Sequence, residues 1–374
     1  MSVEAINRFT FSVLHHLYVT ENSTENFLFS GLGLYVILGA INIGLRSSNY
    51  DQLPAFFEND FEESYDNENW GNTDLAKRFQ ELSTNEKYQY GTRSVLFCSC
   101  YLYPVYERII KSIFELDHTK IDLSNSNEAV TEINRQIFEG IFNVTPWNVV
   151  KESIRIKNKL HFISTINFVN DWVIKFNPSQ TSSEMFYDRA SNNILVETMN
   201  QFSEYHIYDP PYSSFKILFK RLKDPKLFAV IVLPKSGSSM NDALKDIKFD
   251  KMHIYFKDSE EKLVHLILPK FKILTSYNFG STMKKLEITD IFHSQYSDFG
   301  KMTNSSVSIG SLIQVARFSV DENGVNTEDE EGLIGSTHQH MNNFRVNNPF
   351  LFLIYSNSDK LVHLSAIINN PNAA

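Results

Sequence analysis

Ala316-Arg317-Phe318-Ser319-Val320-Asp321-Glu322-Asn323-Gly324 and, twenty residues on, Phe344-Arg345-Val346-Asn347-Asn348-Pro349-Phe350-Leu351-Phe352-Leu353-Ile354 frame the stretch whose reading decides the fold. The first segment reads as a strand that reaches an acidic turn, and the second passes a proline into an apolar core strand. Between them the chain is poor in large apolar groups. It therefore reads as one long exposed loop, about 324–344, and function is expected there because loops held by a rigid scaffold carry recognition.

Upstream, Ile6, Phe9, Val13 and Leu17 recur at helical spacing, and Leu34, Leu38, Ile41 and Leu45 do so after Ser30, with Gly44 near the end. Residues 58–68 are rich in Glu, Asp and Asn and read as a solvated connector. Strands dominate later: Val95–Tyr103, Phe162–Phe168, Phe228–Leu233, Leu263–Leu268, Phe350–Tyr355 and Leu361–Ile368 are apolar or β-branched runs bounded by turn residues. Leu233-Pro234 and Leu268-Pro269 are sharp stops. Helical patterns recur at Ala129–Phe142 and Phe279–Leu286. Helices first and long strands late give an α+β class with large mixed sheets. With neither repeats nor a low-complexity linker, residues 1–374 read as one domain.

Composition narrows function. A net charge of −9 argues against a phosphate-tracking surface, so no nucleic-acid partner is expected. No apolar run reaches the length of a membrane span, and no membrane partner is expected. The N-terminal segment carries Glu4, Arg8 and His15-His16 where a signal peptide would be apolar, so a cytoplasmic protein is expected, or one exported without a cleaved signal. The only cysteines, Cys98 and Cys100, exclude a disulfide framework; on a strand they would share a face, and without nearby ligands they read as small buried apolar residues.

Enzyme motifs fail one by one. Gly31-Leu32-Gly33 lacks the third glycine of a dinucleotide fingerprint, because position 36 is valine. No nucleophile elbow, zinc-protease pair or Walker loop occurs. The stretch 321–332 has Asn326 and Gly332 where a calcium loop needs glycine and glutamate. His338 and His340 lack further metal ligands. No enzyme, cofactor or metal is expected.

Taken together with Asn26-Phe27-Leu28-Phe29-Ser30, Phe168, Trp172 and Phe176, Leu268-Pro269-Lys270-Phe271 and Asn370-Pro371, the late loop resembles the serpin superfamily across nearly the whole chain. The resemblance implies the serpin fold, with about eight or nine helices. It also implies a serine or cysteine protease partner, a monomer, and a mechanism of stored strain. A protease cleaves the loop, whose N-terminal half then enters the main sheet as a new strand, distorting the acylated protease. Matching the motif places the hinge at Glu322, Gly324, Val325, Thr327, Glu328, Asp329, Glu330 and Glu331, the breach tryptophan at Trp172 and the reactive bond at His338-Gln339.

The residues after the hinge glycine, Gly324, depart from the family's small apolar run. They read Val325-Asn326-Thr327-Glu328-Asp329-Glu330-Glu331. Side chains in a strand alternate with period two, so one insertion phase buries Asp329 and Glu331 and the other buries Glu328 and Glu330. Either phase buries two carboxylates, at several kcal/mol each or with proton uptake. The shutter cluster is altered as well: Ser30 is kept, Ser164 and Gln314 replace the usual asparagine and histidine, and Gly31 replaces proline. The expectation is a non-inhibitory or substrate-like serpin, with a functional suicide inhibitor cutting near His338 as the alternative.

Overall fold

The computed structural model describes residues 2–21, 25–46, 53, 70–121, 126–138, 158–190, 192–325 and 342–373. Among these, eight α-helices occur: α1 (Val3–Glu21), α2 (Gly31–Asn42), α3 (Asp74–Tyr90), α4 (Pro104–Ile113), α5 (Ser126–Phe138), α6 (Met240–Asp246), α7 (Met252–Lys257) and α8 (Gly280–Lys285). The chain divides into two compact units. One comprises residues 1–6, 32–167 and 275–316, the other residues 7–31, 168–274 and 317–374.

Helix α1 buries Ile6, Phe9, Val13 and Leu17, the stripe that its spacing predicts. Helix α2 differs from expectation. Besides Leu34, Leu38 and Ile41 it buries Tyr35, Val36, Ile37 and Ala40, so it is enclosed all round rather than amphipathic. Helix α3 begins where the Thr73 hydroxyl accepts from the Ala76 N–H (3.1 Å), and it stops at Gly91, whose φ of 61° is left-handed. A Cβ at Gly91 would also lie 2.5 Å from the Asn167 carbonyl oxygen, so both conformation and space demand glycine. Helix α4 opens on Pro104, whose missing N–H costs nothing in a first turn.

In the first unit lie β2 (Thr92–Cys98), β3 (Leu116–Lys120) and β4 (Lys159–Asn167), with β3 parallel and β4 antiparallel to β2. Next to β4 comes β12 (Ser308–Val320), which starts in this unit and ends in the other. The first expected strand is therefore shorter than 95–103 at its end: it stops at Cys98, because residues 99–100 bend toward the proline that begins α4. The expected helix 129–142 is described as far as Phe138.

The second unit holds a nine-stranded sheet. Its order is β1 (Phe27–Phe29), β16 (Leu361–Ile368), β15 (Phe350–Ser356), β9 (Leu227–Pro234), β8 (Phe215–Arg221), β7 (Asn193–Tyr208), β10 (Glu260–Pro269) and β14 (Asn342–Arg345), with β6 (Ser182–Tyr187) beside β7. Strands β9, β15 and β16 are buried along nearly their whole length, which is why they read as continuous apolar runs rather than alternating ones.

Motifs far apart in sequence meet here. The Asn26 side chain accepts from the Asn369 and Asn370 N–H groups (2.8 and 3.0 Å) and donates to the Asn370 carbonyl (2.8 Å), joining the early motif to the last. Phe271 packs against Phe350 and Phe352 at 5.8 and 5.4 Å between ring centroids, joining the Pro-Lys-Phe and Pro-Phe motifs in one aromatic cluster with Phe318.

Gly31, where proline is usual, has a local cause. A Cβ there would sit 2.1 Å from Thr10 Oγ1, a contact that alanine and proline would both make. Gly31→Ala is expected to destabilise the protein by about 2 kcal/mol through overpacking. An unchanged midpoint in urea denaturation would refute that steric reading.

Candidate functional site at the loop hinge

The strand β12 ends at Val320, and Asp321 turns the chain. Its carboxylate accepts from the N–H groups of Asn323 (2.9 Å) and Gly324 (3.2 Å), a short-range turn of the kind aspartate favours. Gly324-Val325 then forms a two-residue strand, β13. Val325 pairs with Val320 of β12 on one side; Gly324 and Val325 pair with Asp171 and Asn170 of β5 (Asn170–Asp171) on the other. The hinge thus starts as a strand between two others. Val325 is wholly buried.

Trp172 fastens this turn. Its indole Nε1–H donates to the Asp321 carbonyl (2.8 Å) and its backbone N–H to the Asn323 carbonyl (2.9 Å), while the Phe176 N–H donates to the Glu322 carbonyl (2.9 Å). The expected strand Phe162–Phe168 is β4, which runs from Lys159 to Asn167; beyond it β5 is brief, and Trp172 bridges to Leu222.

Glu322, its side chain one-tenth exposed, faces Lys270 at 3.1 Å and accepts from the Thr181 hydroxyl at 2.7 Å. Burial alone would raise its pKa, but the Thr181 hydroxyl and the Lys270 ammonium together hold the carboxyl below its usual range. Lys270 is held above its usual range against its own partial burial, by Glu322 first and by Glu197 at 3.5 Å. Lys270→Ala is expected to cost about 1–2 kcal/mol at neutral pH, discounted because the lysine is nearly one-third exposed. A depressed carboxyl contributes stability above its unfolded pKa and loses it as pH falls through the folded one. The gap between variant and parent in denaturant melts should therefore close in acid; a gap that persists there would refute the ion-pair account.

Beneath the tryptophan lies a lysine that the sequence reading passed over. Lys220 on β8 is 2% exposed; its ammonium donates to the Ile174 carbonyl (3.0 Å) and Gln201 Oε1 (2.6 Å) and stands 4.5–5.4 Å from the ring centres of Phe176, Trp172 and Tyr205. Desolvation pushes its pKa down to about 7. In Phe215-Lys216-Ile217-Leu218-Phe219-Lys220-Arg221 nothing but the period-two repeat marks it, and that pattern reads as a solvent face.

The other expected positions fall as follows. Ser30 is buried ahead of α2; Ser164 on β4 and Gln314 on β12 are buried, and the Ser164 hydroxyl meets no hydrogen-bond partner among the described residues. Three residues before each of these, His161 and Ser311 make a cross-strand hydrogen bond (Nδ1 to Oγ, 2.7 Å), and burial holds His161 neutral down to about pH 4. Thr327, Glu328, Asp329, Glu330, Glu331, His338 and Gln339 lie outside the described residues. On the far side of the loop, β14 pairs in parallel with β10, and Arg345 forms an ion pair with Glu184.

Among the described residues no helix is long and apolar enough to cross a membrane, and no group of three metal-ligating side chains occurs.

Comparison with known proteins agrees with this geometry. Among similar sequences are a leukocyte elastase inhibitor of Xenopus laevis, 25% identical with 91% of this chain and 92% of the relative covered, and human Serpin B3, 22% identical with 98% and 99% covered. Human thyroxine-binding globulin complexed with its ligand superposes with a TM-score of 0.85 at 18% identity, covering 99% of this chain and 98% of that one. Native protease nexin-1 with heparin does so equally, at 0.85 and 18%, covering 99% of each chain. These likenesses establish the fold. The family model for serpins (serine protease inhibitors) matches residues 4–371, and the chain belongs to that family.

Proposed function

We propose that this serpin presents the residues between β13 and β14 as a protease-accessible loop and that, at neutral pH, it behaves as a substrate or decoy rather than a trap. The expected loop 324–344 is shorter at both ends, since residues 324–325 belong to β13 and 342–344 to β14. Serpins as a family target proteases and are not themselves catalysts, so the partner class is a serine or cysteine endopeptidase, with the reactive bond near His338-Gln339. The observation that carries the reading is the burial of Val325 within β13. Val325 is wholly buried, so in a strand continued from it alternation would turn residues 327, 329 and 331 to the same side, and insertion would bury Asp329 and Glu331. Two unpaired carboxylates at several kcal/mol each oppose the step that must outrun hydrolysis of the acyl link.

The alternative, a functional suicide inhibitor, draws support from the same strand: Gly324-Val325 already occupies the place between β12 and β5 where insertion begins. Incubation with a panel of serine and cysteine proteases, followed by denaturing gels, separates the readings. A cleaved serpin with free, active protease is expected; a covalent complex stable to denaturant would overturn the substrate reading. A monomer of one serpin domain working in the cytoplasm is part of the proposal.

A further inference from the structure

Cys98 and Cys100 do more than fill space. Cys98 closes β2, Cys100 sits in the bend that follows, and their sulfurs approach to 2.7 Å, well inside van der Waals contact. Two thiolates on one zinc ion would stand roughly 3.8 Å apart, given metal–sulfur bonds of about 2.3 Å at a tetrahedral angle. The contact therefore points to sulfur–sulfur chemistry and not to a shared metal.

Around the pair stand the groups such chemistry uses. His118 on β3 places Nε2 3.6 Å from Cys98 Sγ, while its Nδ1 lies 3.0 Å from Glu107 Oε1. With Nδ1–H donated to Glu107, Nε2 carries the lone pair that faces the thiol. Cys98 is 1% exposed and Cys100 7%, so a small oxidant meets Cys100 first. The hydrogen bond from Cys98 lowers the Cys100 thiol pKa. The same bond, reinforced by burial, raises that of Cys98, so the first negative charge of the pair settles on Cys100. The backbone around the pair is held: the Ile121 N–H donates to the Cys98 carbonyl (2.9 Å), and the Thr303 hydroxyl donates to the Tyr101 carbonyl (2.7 Å).

We propose that Cys98 and Cys100 form a peroxide-sensitive dithiol that closes to an intramolecular disulfide, with Cys100 the attacking thiolate, Cys98 the resolving thiol and His118 its base. In the first step the Cys100 thiolate attacks hydrogen peroxide and breaks its O–O bond; Cys100 becomes a sulfenic acid, and the departing hydroxide takes the proton that the thiol released. In the second, Cys98 gives its proton to His118 Nε2 and attacks the Cys100 sulfur. The S–O bond breaks, and the leaving hydroxide takes the proton back from His118 as water. Per pair, two thiols and one peroxide become one disulfide and two waters. Glu107 is a positioning residue, since it acts only through the imidazole.

The test treats the folded full chain with hydrogen peroxide and follows intact mass, thiol count after denaturation and capture of sulfenic acid by dimedone. Expected is the loss of both thiols with a mass decrease of two hydrogens, no dimedone adduct, and full recovery with dithiothreitol. Cys98→Ser should halt at a dimedone adduct on Cys100. His118→Gln should oxidise at Cys100 but close about tenfold more slowly, with dimedone now trapping wild-type-like cysteines in transit. Survival of both thiols in the folded chain under conditions that oxidise the urea-unfolded chain would overturn the site, and so would oxidation to sulfinic acid without the two-hydrogen loss. Closure of His118→Gln at the parental rate would overturn the assigned base. The parental chain alone decides the site if a variant fails to fold.

Discussion

At about pH 7.5 the loop-cleaved protein is expected to melt within a few degrees of the intact one, whereas Asp329→Ala/Glu331→Ala should raise the cleaved midpoint by about 5–10 °C. The pair Glu328→Ala/Glu330→Ala should leave it nearly unchanged. The asymmetry follows from Val325, whose burial sets which side chains of the entering strand face the core. Removing two carboxylates from that face removes a burial cost of several kcal/mol each, while removing the outward pair relieves only like-charge crowding in solvent. Acid should mimic the inward replacement, because protonated carboxyls enter a core far more cheaply than ionised ones. At about pH 4.5 the parental midpoint difference should therefore approach that of the double variant. Scanning fluorimetry of intact and cleaved samples reads all three arms. Equal effects from the two alanine pairs would sink the assigned phase, and a large parental shift at neutral pH would sink the substrate reading with it.

Lys220→Met is expected to stabilise the intact protein by about 3 kcal/mol at pH 6 and progressively less toward alkaline pH. The sign follows from a lysine that binds its proton more weakly folded, with a pKa of about 7, than unfolded, near 10.4. Between those values the unfolded chain holds more protons, so stability rises with pH, and below about 7 the burial cost is present in full. The faces of Trp172, Phe176 and Tyr205 attract the ammonium by about 2 kcal/mol, which offsets only part of a loss that has moved the pKa so far. Gln201 Oε1 keeps its hydrogen bond from the Tyr205 hydroxyl (2.6 Å) and the Ile174 carbonyl keeps one from Gln201 Nε2 (3.3 Å), so the replacement strands neither acceptor. Urea titrations at several pH values measure the effect. A variant less stable than the parent at pH 6 would mean that the cage binds the cation more strongly than water does.

Both predictions concern a region whose parts were unequally legible. The hinge turn could be read because Asp321, Asn323 and Gly324 act locally and in order. In the aromatic cluster, Phe271 and Phe350 were signalled by Pro269 and Pro349 just before their strands, whereas Phe318 had no such mark. Lys220 was not legible, since a period-two repeat is the same whether the outer face meets water or an aromatic wall. Nor was the cysteine contact, which depends on β2 ending at Cys98 rather than running on to Tyr103.

What the sequence determined by itself is the family, the α+β architecture and the acidity of the residues that follow Gly324, because motif order and apolar runs are properties of the chain alone. The tertiary structure decided which lysine is starved of water, why Gly31 tolerates no side chain and where two thiols touch. Each of those depends on what packs against a side chain from a distant segment, and no local pattern encodes that.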